Sequence, residues 1–170
     1  MKTLLILAII SLGFIFSAFE MPYSNSKINN IQLLDSIPEM NQQILVFVKS
    51  KLKKKVGTGE CWDLASEALK AVNATWDMKY KFGKELNYKN ENILPGDIIQ
   101  FEGVVLKYDV NGKEFTEKML HHTAIIYEVK DNTHFTLAHQ NNGYSGRKVG
   151  LSLLDLSTIK KGKIKIYRAQ

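Results

Sequence analysis

From position 36 onward the hydrophobic positions change period along the chain. Met40, Ile44, Leu45, Phe47, Val48 and Leu52 recur at helical spacing. They follow Ser36 and Glu39, spaced as a capping box, with Pro38 in a first turn that tolerates it, so the pattern predicts a helix ending before Gly57. The segment Val56-Gly57-Thr58-Gly59-Glu60 reads as a short loop. A second helix begins at once, with Leu64, Ala65, Ala68, Leu69 and Val72 as one buried stripe and Cys61 one turn ahead on the same face. Beyond Trp76 the period shortens to that of strands. Leu94-Pro95-Gly96-Asp97 is a turn launching Ile98–Phe101, and Asp109–Lys113 carries an Asn-Gly hairpin signal. His122–Val129, Phe135–Gln140 and Ile164–Tyr167 supply three more strands. Helices followed by a largely antiparallel sheet predict an α+β domain.

The N-terminus follows another pattern. Lys2 precedes an apolar run from Leu4 to Phe16 that ends in Ser17 and Ala18, too short to span a bilayer comfortably. This is the form of a secretory signal peptide over residues 1–19, cleaved near Ala18 or Phe19. An extended lead-in over 20–35 and one domain over 36–170 complete the expected organisation, and the protein is expected outside the cell or in the lumen of the secretory or endolysosomal pathway.

Composition narrows the function classes. With 170 residues, 45% hydrophobic and 24% charged, the chain is neither disordered nor fibrous. Its formal charge is +6, and +5 without the first nineteen residues, which hold one lysine and no acid. A basic protein of this kind meets anionic polymers, walls or membranes. The lysine runs at 49–55 and 160–163 have no interleaved aromatic residues, so they read as a solvated helix face and a loop rather than a nucleic-acid surface. No nucleic-acid partner, no cofactor and no stable membrane insertion are expected, and the chain is expected to be a monomer. Asn73-Ala74-Thr75 is a glycosylation sequon if the source glycosylates. Asn141–Gly146 is a glycine-containing loop at the rim of a groove or an ordinary surface turn.

The chemistry turns on one thiol. Secreted domains usually carry cysteines in even numbers, whereas Cys61 stands alone. The first turn of a helix lowers a thiol's pKa through its unsatisfied N–H groups, and the N–H of Cys61 is placed to donate to an oxyanion. Alternation puts His122, Ala124 and Ile126 on one strand face and His121 on the other. If Asp131-Asn132 is a two-residue turn, Ala124 lies opposite His139 and His122 opposite Asn141. His122 and His139 are then diagonal neighbours, roughly 7–8 Å apart by backbone, and form a base with its orienting partner. Zinc held by Cys61, His122 and His139 is a weaker alternative, since no close-spaced ligand motif accompanies them.

The runs Gly59-Glu60-Cys61-Trp62-Asp63-Leu64, Leu94–Phe101, His121–Ile126 and Ala138-His139-Gln140-Asn141 resemble, in residues and in order, the CHAP/NlpC branch of papain-like cysteine hydrolases. The resemblance covers roughly Gln42 to Tyr167. It implies a papain-like fold, Cys61 as nucleophile, His122 as base and His139 as the third polar residue, with Asn141 the competing orienter. It also implies an amidase or peptidase acting through an acyl-thioester on peptides, cell-wall peptides among them. Glu60 departs from the glutamine often found before the cysteine, and a carboxylate there disfavours a thiolate unless it turns away. A binding module that keeps the fold without the catalysis is the alternative function.

Overall fold

A computed structural model describes residues 37–170. The expected signal peptide and lead-in, and Ser36 of the expected capping box, lie outside these residues. Helices α1 (Glu39–Lys51) and α2 (Cys61–Ala71) come first. Six strands follow: β1 (Lys84–Leu86), β2 (Ile98–Val110), β3 (Lys113–Val129), β4 (His134–His139), β5 (Gly150–Asp155) and β6 (Ile159–Arg168), with a 3-10 turn at Leu156–Thr158 before the last. They form one antiparallel sheet in the order β1-β6-β2-β3-β4-β5.

The apolar stripes of both helices, Ile44 and Val48 with Leu64, Ala68 and Leu69, pack on Ile98, Ile125, Ala138 and Tyr167 of the sheet. A second core lies on the opposite face, where Ile99, Phe101, Ile126, Leu137 and Ile166 bury each other. No described α-helix covers that face; Tyr88, Ile93 and Leu156 pack at its margins. This is why the central strands read as apolar on both faces.

A buried Asp97 locks the turn that starts β2. Its carboxylate accepts from Arg168 (2.9 and 2.7 Å), from Asn41 Nδ2 (2.8 Å) and from the N–H of Leu94 (2.8 Å). It thus ties α1, the turn and the last strand together. At the other end of β2, Asn111 and Gly112 both take positive φ (55° and 78°) between the paired Val110 and Lys113, the two-residue turn that Asn-Gly signals.

Strands β2 and β3 run further than the apolar pattern indicates, because their outer halves form a hairpin arm with exposed residues. Residues 160–163, expected in a loop, are part of β6 and pair with this arm. Between the two halves the strands exchange faces. Phe101 and Val104 are three apart, yet both enter the second core, because Gly103 (φ 62°) adds a residue between them. The pairing of β2 with β6 shifts at the same level.

The turn from β3 to β4 is one residue longer than expected: Lys130 bonds His134 (2.9 Å), and Asp131 accepts from the N–H groups of Thr133 and His134. An irregularity between Ile126 and Glu128 takes the extra residue out again. Ile125 therefore faces Ala138, and continuing that register sets Ala124 opposite His139, as the shorter turn would have done.

Candidate active site

The loop 56–60 delivers Cys61 to the first position of α2. Asp63, three residues into the turn, folds that loop around its own carboxylate: Oδ2 accepts from Thr58 N–H (2.8 Å), Thr58 Oγ1 (2.7 Å), Gly59 N–H and Glu60 N–H (both 3.1 Å). Burial works against the charge, but these hydrogen bonds hold Asp63 below the ordinary carboxylate range. Gly57, at φ 55°, is needed there because a Cβ would stand 2.8 Å from the Asp63 carboxyl. From the sheet side the fully buried Gln140 closes the loop. Its Nε2 donates to the carbonyls of Val56 and Glu60 (both 2.8 Å), and its Oε1 accepts from Val56 N–H (3.1 Å).

The backbone N–H groups of Thr123 and Trp62 approach the half-buried Cys61 sulfur and favour its thiolate. Burial nevertheless pushes the thiol above its ordinary pKa, and the Glu60 charge adds to that. Thr123 follows His122 in β3, and Cys61 and His122 line the same cavity, with Glu60, Tyr80, Lys118 and Asn141. Among the described residues the sulfur makes no side-chain hydrogen bond to either imidazole.

His122 is 8% exposed and His139 1%. Their rings meet edge to face, with His122 Nε2 2.8 Å from His139 Nδ1, and His139 Nε2 lies 2.8 Å from Ser152 Oγ on β5. His122 Nδ1 makes no hydrogen bond among the described residues. Burial lowers His122 to about 4; burial, with repulsion from His122, lowers His139 to about 3. At neutral pH the thiol and both imidazoles are uncharged, so the resting site holds no thiolate–imidazolium pair.

Asn141 makes no hydrogen bond to His122 among the described residues. It sits at φ 57° and its Nδ2 donates to Glu60 Oε2 (2.5 Å), while Arg147 pairs with Glu60 Oε1 (2.8 Å) and donates to the Thr58 carbonyl (3.0 Å). The Glu60 carboxylate is thus drawn toward the 141–147 loop. His121 is on the other strand face, 2.8 Å from Glu102 Oε2, with its ring against Tyr80. No three or more metal-ligating side chains are grouped to hold an ion among the described residues.

Gln140, Ser152 and Arg147 were not singled out from the sequence, since each works through a contact distant along the chain. Asp63 was within reach, because Glu60 and Asp63 have capping-box spacing ahead of an apolar stripe.

Among solved structures the chain is similar to the crystal structure of Ly7917 with the hydrolyzing product of MDP, at 17% identity and a TM-score of 0.49, over 75% of this chain and 62% of that one. It is also similar to the crystal structure of Ly7917, at 19% identity and a TM-score of 0.44 with the same coverage. The chain thus spans less than two thirds of the length of those structures. No curated protein matches it. The model of the AIM3/BBC1 cysteine proteinase-fold domain matches residues 20–170. With two helices on one face of an antiparallel sheet and a cysteine at the tip of the second, the chain has a papain-like cysteine proteinase fold and belongs to the AIM3/BBC1 cysteine proteinase-fold domain family.

Proposed function

We propose that the protein is a secreted cysteine hydrolase of amide bonds, of the CHAP/NlpC type, with cell-wall peptides as substrate. The observation that carries this reading is the thiol at a helix tip, in one cavity with an imidazole whose Nε2 is held by His139 and whose Nδ1 makes no hydrogen bond among the described residues.

In this reading His122 Nδ1 takes the thiol proton as the sulfur attacks the amide carbon. The oxyanion forms at the helix tip, where the N–H of Cys61 donates to it. Collapse expels the amine, which leaves with the proton from His122, and a thioester remains on Cys61. Water then gives a proton to His122 and attacks the thioester, and the thiol recovers that proton as the acid departs. Because the thiol and imidazole rest uncharged, proton transfer accompanies attack instead of preceding it. The wall substrate rests on the motif resemblance and on the basic surface, and the extracellular site on the pattern of residues 1–19. No described helix is long and apolar enough to cross a membrane.

Purified protein incubated with peptidoglycan and with model peptides is expected to release new amino and carboxyl ends. Cys61→Ala should lower the rate at least about a thousandfold; equal rates in the two proteins would remove the catalytic claim. The raised thiol pKa and the adjacent Glu60 favour a second reading, a binding module. Retention on peptidoglycan with no fragments released by either protein would select it.

A further inference from the structure

The hydrogen-bonded chain that starts at His122 does not stop at His139. Ser152 lies opposite Leu137 in the β4–β5 register, on the face that Leu137 and His139 share, and its hydroxyl meets His139 Nε2 at 2.8 Å. His139 and Ser152 line a groove with Leu106, Tyr108 and Leu154, separate from the cavity that Cys61 and His122 line.

Two neutral imidazoles in line with a hydroxyl have two ways to order their protons. In one, His122 Nε2–H donates to His139 Nδ1 and His139 Nε2–H donates to Ser152 Oγ, which leaves the Nδ1 lone pair of His122 free. In the other, Ser152 donates to His139, His139 Nδ1–H donates to His122 Nε2, and His122 carries its proton on Nδ1. Two observations separate them. The N–H groups of Thr123 and Trp62 already reach the Cys61 sulfur, so it needs an acceptor for its own proton and has little use for a further donor. The half-buried Ser152 can turn its O–H toward the groove while its oxygen receives His139.

We propose that Ser152 is a positioning residue: by accepting the His139 Nε2 proton it fixes both imidazoles as Nε2–H tautomers and keeps His122 Nδ1 unprotonated. The value of that state as a base rests on the hydrolase reading; the proton order does not. Neutral rings at pH 7 make the tautomers well defined.

Nitrogen-15 NMR of the histidine-labelled full chain tests this at neutral pH. Wild type and Ser152→Thr, which keeps the hydroxyl, should show Nε2–H tautomers at both His122 and His139. Ser152→Val has the shape of the threonine variant without the acceptor. It would bury the His139 Nε2–H unpaired, so His139 should turn to its Nδ1–H tautomer and force His122 into the same one. Iodoacetamide should then label Cys61 about tenfold more slowly, the size of effect expected when one buried partner is lost. Nδ1–H at His122 in the wild type, or tautomers unchanged in Ser152→Val, would overturn the assignment; if the valine variant does not fold, the wild-type spectrum decides alone. Expected tautomers with slow labelling in all three proteins would uphold the role of Ser152 and count against the hydrolase reading instead.

Discussion

Gln140 holds three backbone groups from the far side of the chain, and each is buried or partly buried. Truncating it leaves the buried Val56 N–H without a partner, at about 1–3 kcal/mol before any relaxation, and takes one of two donors from each carbonyl, which keep the N–H groups of Gly59 (3.0 Å) and Asp63 (3.1 Å). Gln140→Ala should therefore lose about 3 kcal/mol in urea unfolding with an unchanged slope. A loss below ~0.5 kcal/mol would mean that the loop ahead of Cys61 is held by Asp63 alone. At this scale the sequence revealed donors and nucleophiles better than clamps. Cys61, His122 and His139 stand out by type and place, and the geometry brings all three to one end of the sheet. His139 was the expected orienter and Asn141 its competitor, because both stand at the end of the same strand. The structure separates them through Glu60, whose charge draws Asn141 away. Gln140 and Ser152 carry no local signal, since a polar residue in a strand is equally at home facing water.

Both helices were legible as elements because their stripes are long and strongly periodic, and the Asn-Gly turn because only residues tolerant of positive φ fit it. The outer hairpin arm was not, since alternation fades where neither face is buried. Strands β1 and β5 are short edge strands with little pattern to read. The register that pairs the histidines was legible only because two one-residue departures cancel, the longer turn at 131–133 and the irregularity near Tyr127. The face exchange at Gly103 depends in turn on Gly162, at φ 93°. A Cβ there would lie 2.5 Å from the Gly103 carbonyl carbon and oxygen and from Val104 Cα. Gly162→Val should cost about 2–4 kcal/mol. Gly143→Ala, with open space around it and no positive φ, should stay within ~0.5 kcal/mol. Equal urea midpoints for the two variants would show that the strands at the kink part freely.

For the molecule as a whole, the buried histidines set how stability follows pH. Their folded pKa values, about 4 and about 3, lie below the ordinary 6.5, so between these limits the unfolded chain binds more protons than the folded one. Stability is complete above about pH 6.5 and falls as the solution is acidified through the window down to about pH 3. At ~1.4 kcal/mol per unit for each ring, discounted for coupling, the fall from pH 6.5 to 4 is on the order of 2–4 kcal/mol. Urea unfolding at pH 7, 5.5 and 4.5 should show it, and a flat profile would mean that both rings take up protons in the folded state near pH 6. The fold class was legible at this scale, because helices that precede an antiparallel sheet leave few ways to cover both. The second core was not, since nothing local announces that a sheet face without a helix over it will be buried.

Cys61 is the chain's sole cysteine. A fluorophore or affinity handle aimed at sulfhydryls would therefore attach at one address without any engineering of the protein, so occupancy of the cleft by a candidate ligand becomes measurable as protection from tagging before any turnover assay exists.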